Sequence, residues 1–121
     1  MPEKLPIDHY SHYETFREAL GQLRNAIAEP APDLSSLKSQ ANQVQTMFHQ
    51  QILPLRLDEL EPSIAHHVQS YQVEINKQLR LLSTDLNFLQ AARQPATLKQ
   101  RQQQVDDRLA TLLRYCGAVM N

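Results

Sequence analysis

From Ile64 to Leu89, apolar residues return every three or four positions: Ile64, Val68, Tyr71, Ile75, Leu79, Leu82, Leu86 and Leu89. That spacing places all eight along one side of an α-helix and on no single side of a strand. It predicts a helix over 63–93, about 45 Å long at the usual rise per residue. Leu81, Phe88 and Ala92 broaden the apolar side, as expected of a helix that meets two neighbours.

Three further segments carry the same rhythm, and prolines separate them. Tyr13, Phe16, Leu20, Leu23 and Ile27 define a first helix, with Asp8 as its expected N-cap and Pro30 and Pro32 ending it. Leu34, Leu37, Ala41, Val44, Phe48 and Leu55 define a second, with Met47 and Ile52 beside the stripe. Asp33 or Ser35 caps it, and Pro54 must kink or stop it. Residues 55–62 read as an acidic connector with about one helical turn. After Gln94-Pro95-Ala96, Thr97 is the expected cap of a fourth helix with Leu98, Val105, Leu109, Leu112, Cys116 and Val119 on its stripe. Leu113 lies alongside, and Gly117 is a candidate late C-cap. Residues 1–7, with Pro2 and Pro6, read as an extended lead-in.

Two glycines, no tryptophan and few β-branched residues leave strands without a constituency. At 121 residues, one core forms without disulfides or metals. The expected fold is all-α: one antiparallel four-helix bundle over 1–121, up-down-up-down, with a long third helix.

Charge bears on partners. The net charge of −1 makes no case for nucleic acid or anionic lipid. Residues 1–75 nevertheless carry −5 and residues 76–121 carry +4. This asymmetry suits either pairing between the halves, the preferred reading, or a partner that meets one end. Asp85, next to the core position Leu86, falls level with the fourth helix in an antiparallel hairpin, within reach of Arg101 or Arg108. With one cysteine, no membrane-length apolar run and no signal-like segment after Met1, the expectation is a cytoplasmic protein.

Residue types that carry chemistry are present without the necessary company. His9 and His12 share a helix face but have only Asp8 and Glu14 near them. His66 and His67 are adjacent and diverge by about 100° on a helix, so they do not chelate one ion together. A phosphotransfer histidine needs a neighbouring lysine and a small residue, which His49, His66 and His67 all lack. Cys116 sits on an apolar stripe, where a buried thiol is expected rather than a nucleophile. Asp106 and Asp107 point apart. The expectation is a non-enzymatic protein with no cofactor and no metal.

The run Ser70-Tyr-Gln-Val-Glu-Ile-Asn-Lys-Gln-Leu-Arg-Leu-Leu-Ser-Thr-Asp-Leu-Asn-Phe-Leu-Gln-Ala-Ala-Arg-Gln-Pro-Ala-Thr97 resembles the cyanobacterial heterocyst frequency control protein PatD family. Asp107-Arg-Leu-Ala-Thr-Leu-Leu-Arg-Tyr-Cys116 looks like the same family's C-terminal end. The resemblance covers about the last fifty residues; the first sixty match in helical character and around Phe48 to Leu55. It implies a regulatory adaptor that binds the tubulin-like division protein FtsZ, affects its filament assembly, and acts on heterocyst frequency at the division site.

Within that frame, the positive third and fourth helices are the expected protein-binding face, led by Lys77, Arg80, Arg93 and Arg101. The alternative is a self-associating bundle, a homodimer in which a second copy covers Ile64 and Val68 on an overhanging third helix.

Overall fold

Pro6, in an extended conformation, starts the first helix, α1 (Ile7–Ile27). The computed structural model describes residues 5–121, so Met1 to Lys4 of the expected lead-in lie outside the described residues. The rest of that lead-in is shorter than expected: Leu5 is already buried and the helix begins at Ile7. Asp8 therefore lies in the first turn rather than at the cap, where its charge complements the helix dipole without bonding a backbone N–H. Tyr13, Phe16, Leu20, Leu23 and Ile27 are all buried, and His9 joins them.

Asp33 caps α2 (Leu34–Met47), its carboxylate accepting from the backbone N–H of Ser35 at 3.1 Å and of Ser36 at 3.3 Å. Beyond Met47 the helix widens into a π-helical turn, Phe48–Ile52, and then stops. Pro54 accounts for the stop, because it has no N–H to donate to Gln50 and its ring would meet the Gln50 carbonyl. The Leu53 N–H reaches back to Phe48 O at 2.9 Å, and the wider turn keeps Phe48 and Ile52 both in the core.

The connector from Leu53 to Glu61 forms turns and bends, with no helical turn. Leu55, Leu57 and Leu60 pack partly buried against the core, while Arg56, Asp58 and Glu59 face solvent. This strap alters the account of the third helix. Glu61 caps α3 (Pro62–Ala91) by accepting from the Ile64 N–H at 3.3 Å and from the Ser63 hydroxyl. Val68 is buried and Ile64 half-buried, so the expected apolar overhang is absent.

Ala92 turns extended and ends α3, Gln94 is held extended by the proline that follows it, and α4 (Pro95–Met120) begins there. Gln94 occupies the cap position with no side-chain bond, and Pro95 takes the first helical position. Thr97 is therefore inside the helix and not its cap. Gly117 lies within α4, which runs on to Met120.

The helices form a ring in which α1 packs on α2 and α4, and α3 packs on α2 and α4. Cross-helix contacts show that neighbours run antiparallel. Gln45 Nε2 donates to Leu79 O at 3.1 Å, His67 Nε2 lies 3.1 Å from Ala118 O, and Arg24 Nε lies 2.8 Å from Asp106 Oδ1. The architecture is the all-α, up-down-up-down four-helix bundle, with α3 its longest helix.

One core position departs from the stripe. Gln72, 7% exposed, takes the inward place on α3, and Tyr71 shifts to the α3–α4 seam against Tyr115. Gln72 Nε2 approaches Tyr13 Oη and Ile52 O, both at 3.5 Å, so the polar core residue lies beside a carbonyl at the end of the π-helical turn.

Candidate protein-docking surface

Where the charges go decides what the surface offers. Among the described residues the ion pairs are Arg24–Asp106, Arg56 with Asp58 and Glu59, and Arg108–Asp85. The first joins the two halves in the reverse sense of their net charges, a cation from the acidic half to an anion from the basic half. Pairing between the halves therefore does not absorb the asymmetry, contrary to the preferred expectation, and most of the excess charge stays at the surface.

Lys77 and Arg80 are exposed on α3, three residues apart and on one side of the helix. Neither makes an ion pair among the described residues. Helical spacing extends this side to Val73 and Phe88, which are 63% and 50% exposed. Phe88 thus faces outward instead of widening the core stripe. Of these two candidate contact residues, the apolar stripe passes over Val73 and assigns Phe88 to the core. Their signal was present, since both are in phase with Lys77 and out of phase with Ile75, Leu79 and Leu82.

The other two expected cations are placed differently. Arg93 is exposed in the turn between α3 and α4. Arg101, half-buried on α4, lies with its guanidinium 4.7 Å from the centre of the Phe88 ring and donates to Gln104 Oε1 at 2.9 Å. That geometry is a cation–π contact across the α3–α4 groove. The four cations do not form one cluster: two share an α3 face, one stands at the turn, and one is held on an aromatic ring.

Of the remaining groups with chemical potential, Cys116, Tyr13, His67 and His49 are held in structural contacts, while His9 is buried with its Nδ1 unpartnered among the described residues. Cys116 is fully buried, and desolvation pushes its thiol up to about 12 against a smaller opposing pull from Arg17. Tyr13 is likewise raised to about 12, chiefly by burial. His67 contacts Ala118 O and lies edge-on to Tyr71, and His49 lies edge-on to Phe48. Among the described residues no three His, Cys, Asp or Glu side chains gather as a metal site would require. No helix of the described residues is long and apolar enough to cross a membrane.

No family model matches the chain, and comparison with curated proteins and with solved structures returns no match.

Proposed function

We propose that the chain is a non-enzymatic regulatory adaptor that binds FtsZ and modulates filament assembly, and through it the frequency of heterocysts. Two lines support the reading. The resemblance to the PatD family falls on Ser70–Thr97 and Asp107–Cys116, which are segments of α3 and α4. The observation that carries it is the outer side of α3, where exposed Lys77 and Arg80 stand without ion-pair partners among the described residues, flanked by exposed Val73 and Phe88. Cations beside apolar anchors suit an acidic protein surface, because charge steers the encounter while buried apolar area holds the complex. Arg93 and Arg101 extend the cationic rim at the α3–α4 turn. The protein is cytoplasmic in this reading and reaches the division site through its partner.

Co-sedimentation with FtsZ filaments tests the proposal. Arg80→Glu with Arg93→Glu is expected to weaken binding about tenfold or more, the result of losing and then opposing two favourable charges. Binding unchanged by that double reversal removes this face, and no binding by the native protein removes the partner.

A further inference from the structure

We propose that the chain associates head to tail with copies of itself, the outer side of α3 on one molecule docking on the outer side of α1 on the next. This goes beyond the filament partner and does not depend on it.

The outer side of α1 complements that of α3. Glu14 and Glu18 are exposed one helical turn apart, and neither forms an ion pair among the described residues. Like charges at that spacing oppose each other within a helix, as do Lys77 and Arg80 on α3. Bringing the two pairs together relieves both. Each side also carries exposed apolar residues: of the five large apolar side chains standing in solvent among the described residues, Ile7 and Tyr10 are on α1, and Val73 and Phe88 on α3. Helical spacing puts Ile7, Tyr10, Glu14 and Glu18 on one side of α1, turned away from the core.

Gly21 continues that side. A glycine weakens a helix interior, and a Cβ added here would meet nothing within 4 Å inside the chain, so no contact within the bundle calls for it. A partner's side chain can approach the α1 backbone at this point.

The intervals match when the two helices run antiparallel. Glu14, Glu18 and Gly21 lie seven, eleven and fourteen residues after Ile7, while Arg80, Lys77 and Val73 lie eight, eleven and fifteen before Phe88. Ile7 then meets Phe88, the two charge pairs meet in the middle, and Val73 covers Gly21.

The ring arrangement makes the contact repeatable. Since α1 and α3 both pack on α2 and α4 and meet across the core, where Gln72 Nε2 approaches Tyr13 Oη, their outer sides face opposite directions. One molecule can use both at once. Such a heterologous contact builds chains or closed rings, not a symmetric pair, and a net charge of −1 offers little overall repulsion to it.

Sedimentation velocity on the pure full chain tests this without any filament protein, so its failure leaves the FtsZ reading untouched. At low salt the mass should rise with concentration past two 13.9 kDa chains. It should fall back toward one as salt goes from about 50 mM to about 500 mM, because the contact is screened. Lys77→Glu with Arg80→Glu, and Glu14→Lys with Glu18→Lys, should each give monomers, and an equal mixture of the two should reassemble. Exposed positions leave the fold intact, which circular dichroism verifies; the milder pair Lys77→Gln with Arg80→Gln should weaken assembly in the same direction. Three results overturn the proposal: a monomer at every concentration and salt, a dimer that salt does not disturb, or folded charge variants whose mixture stays monomeric.

Discussion

Arg108 joins two points on α3, with its Nε 2.9 Å from Asp85 Oδ2 and its Nη1 2.8 Å from Gln78 Oε1. Gln78 and Asp85 are two turns apart, so one guanidinium spans a length of helix and can be satisfied in one register only. The Asp85 side chain is 12% exposed and that of Arg108 28%, which places the pair between a surface bridge and a buried one.

Asp85→Ala should therefore cost about 1–2 kcal/mol, since it leaves Arg108 with Gln78 and partial access to water. For a chain of this size that corresponds to a fall of roughly 4–8 °C in Tm. Thermal melts of Asp85→Ala, Gln78→Ala and the double variant check it. A double variant that costs no more than Asp85→Ala alone would identify Arg108 as the shared element, and unchanged melts would show that the pair adds nothing.

Gln72 and Tyr13 form a second coupled pair. The amide is buried and its contacts to Tyr13 Oη and Ile52 O are long, both 3.5 Å, so each bond is weak while the desolvation of the groups is full. Gln72→Leu should lose about 1–2 kcal/mol by leaving the Tyr13 hydroxyl without this contact. Adding Tyr13→Phe should return most of that loss, because both partners are then apolar. Urea titrations of the four proteins measure the coupling, and strict additivity would show that the two side chains act independently.

The connector leucines replace the overhang expected of α3, and that exchange is testable. Leu57→Ala with Leu60→Ala should destabilise the fold by about 2 kcal/mol, from two partly buried side chains. The loss should be concentrated at the start of α3. Hydrogen exchange should quicken for Ile64 to Val68 and stay near native for Leu82 to Leu89. Equal quickening along the whole helix would mean that the strap does not hold that end separately.

What could be seen in the sequence divides along a physical line. The α1 stripe, the Asp33 cap and the prolines that end α1 and α2 follow from local rules, and all were legible. Hairpin geometry also placed Asp85 level with α4 but left Arg101 and Arg108 both in reach, and the choice of Arg108 came from the packing. Gln72 was not, since its burial depends on the distant Tyr13 and on the π-helical turn ahead of Pro54. The Glu61 cap was missed because Ser63 resembles a starting residue while Pro62 is the better first position. On the candidate surface, Lys77 and Arg80 share a side by spacing alone. Arg101 on Phe88 required the α3–α4 packing, which no single-helix pattern contains.

Glu61 supplies a pH dependence whose direction is set. Its carboxyl lies below the ordinary value, chiefly through the Ser63 hydroxyl and then the backbone N–H groups of Ser63 and Ile64. A carboxylate lowered on folding stabilises the folded state above its unfolded value, and that contribution is lost as pH falls through the folded value. Asp58, lowered mainly by its bond to Arg56, acts in the same sense on the connector. The amide of Ile64 should therefore lose protection from exchange at acidic pH, below the usual carboxylate range, before the α1 core residues do. Glu61→Gln should remove that step and leave the Asp58 contribution in place. An Ile64 amide whose protection follows the core at every pH would rule the cap out as a separate event.

Cys116 provides the last test, because a thiol can be followed without disturbing the bundle. It lies at 0% exposure among the core residues of α4, and burial drives it up to about 12, so in the folded state it stays protonated through neutral and mildly alkaline pH. A protonated thiol with no path to solvent reacts only when the helices part. Labelling by a disulfide reagent should then be slow in the native protein and complete within seconds in denaturant. Its native rate should track global stability, rising roughly tenfold for each 1.4 kcal/mol lost. Asp85→Ala and Gln72→Leu should accelerate it in proportion to their melts. The strap variant Leu57→Ala with Leu60→Ala should accelerate it less than its share if that end opens by itself. Rapid labelling in the native state, insensitive to all three, would mean that α4 is not closed over Cys116.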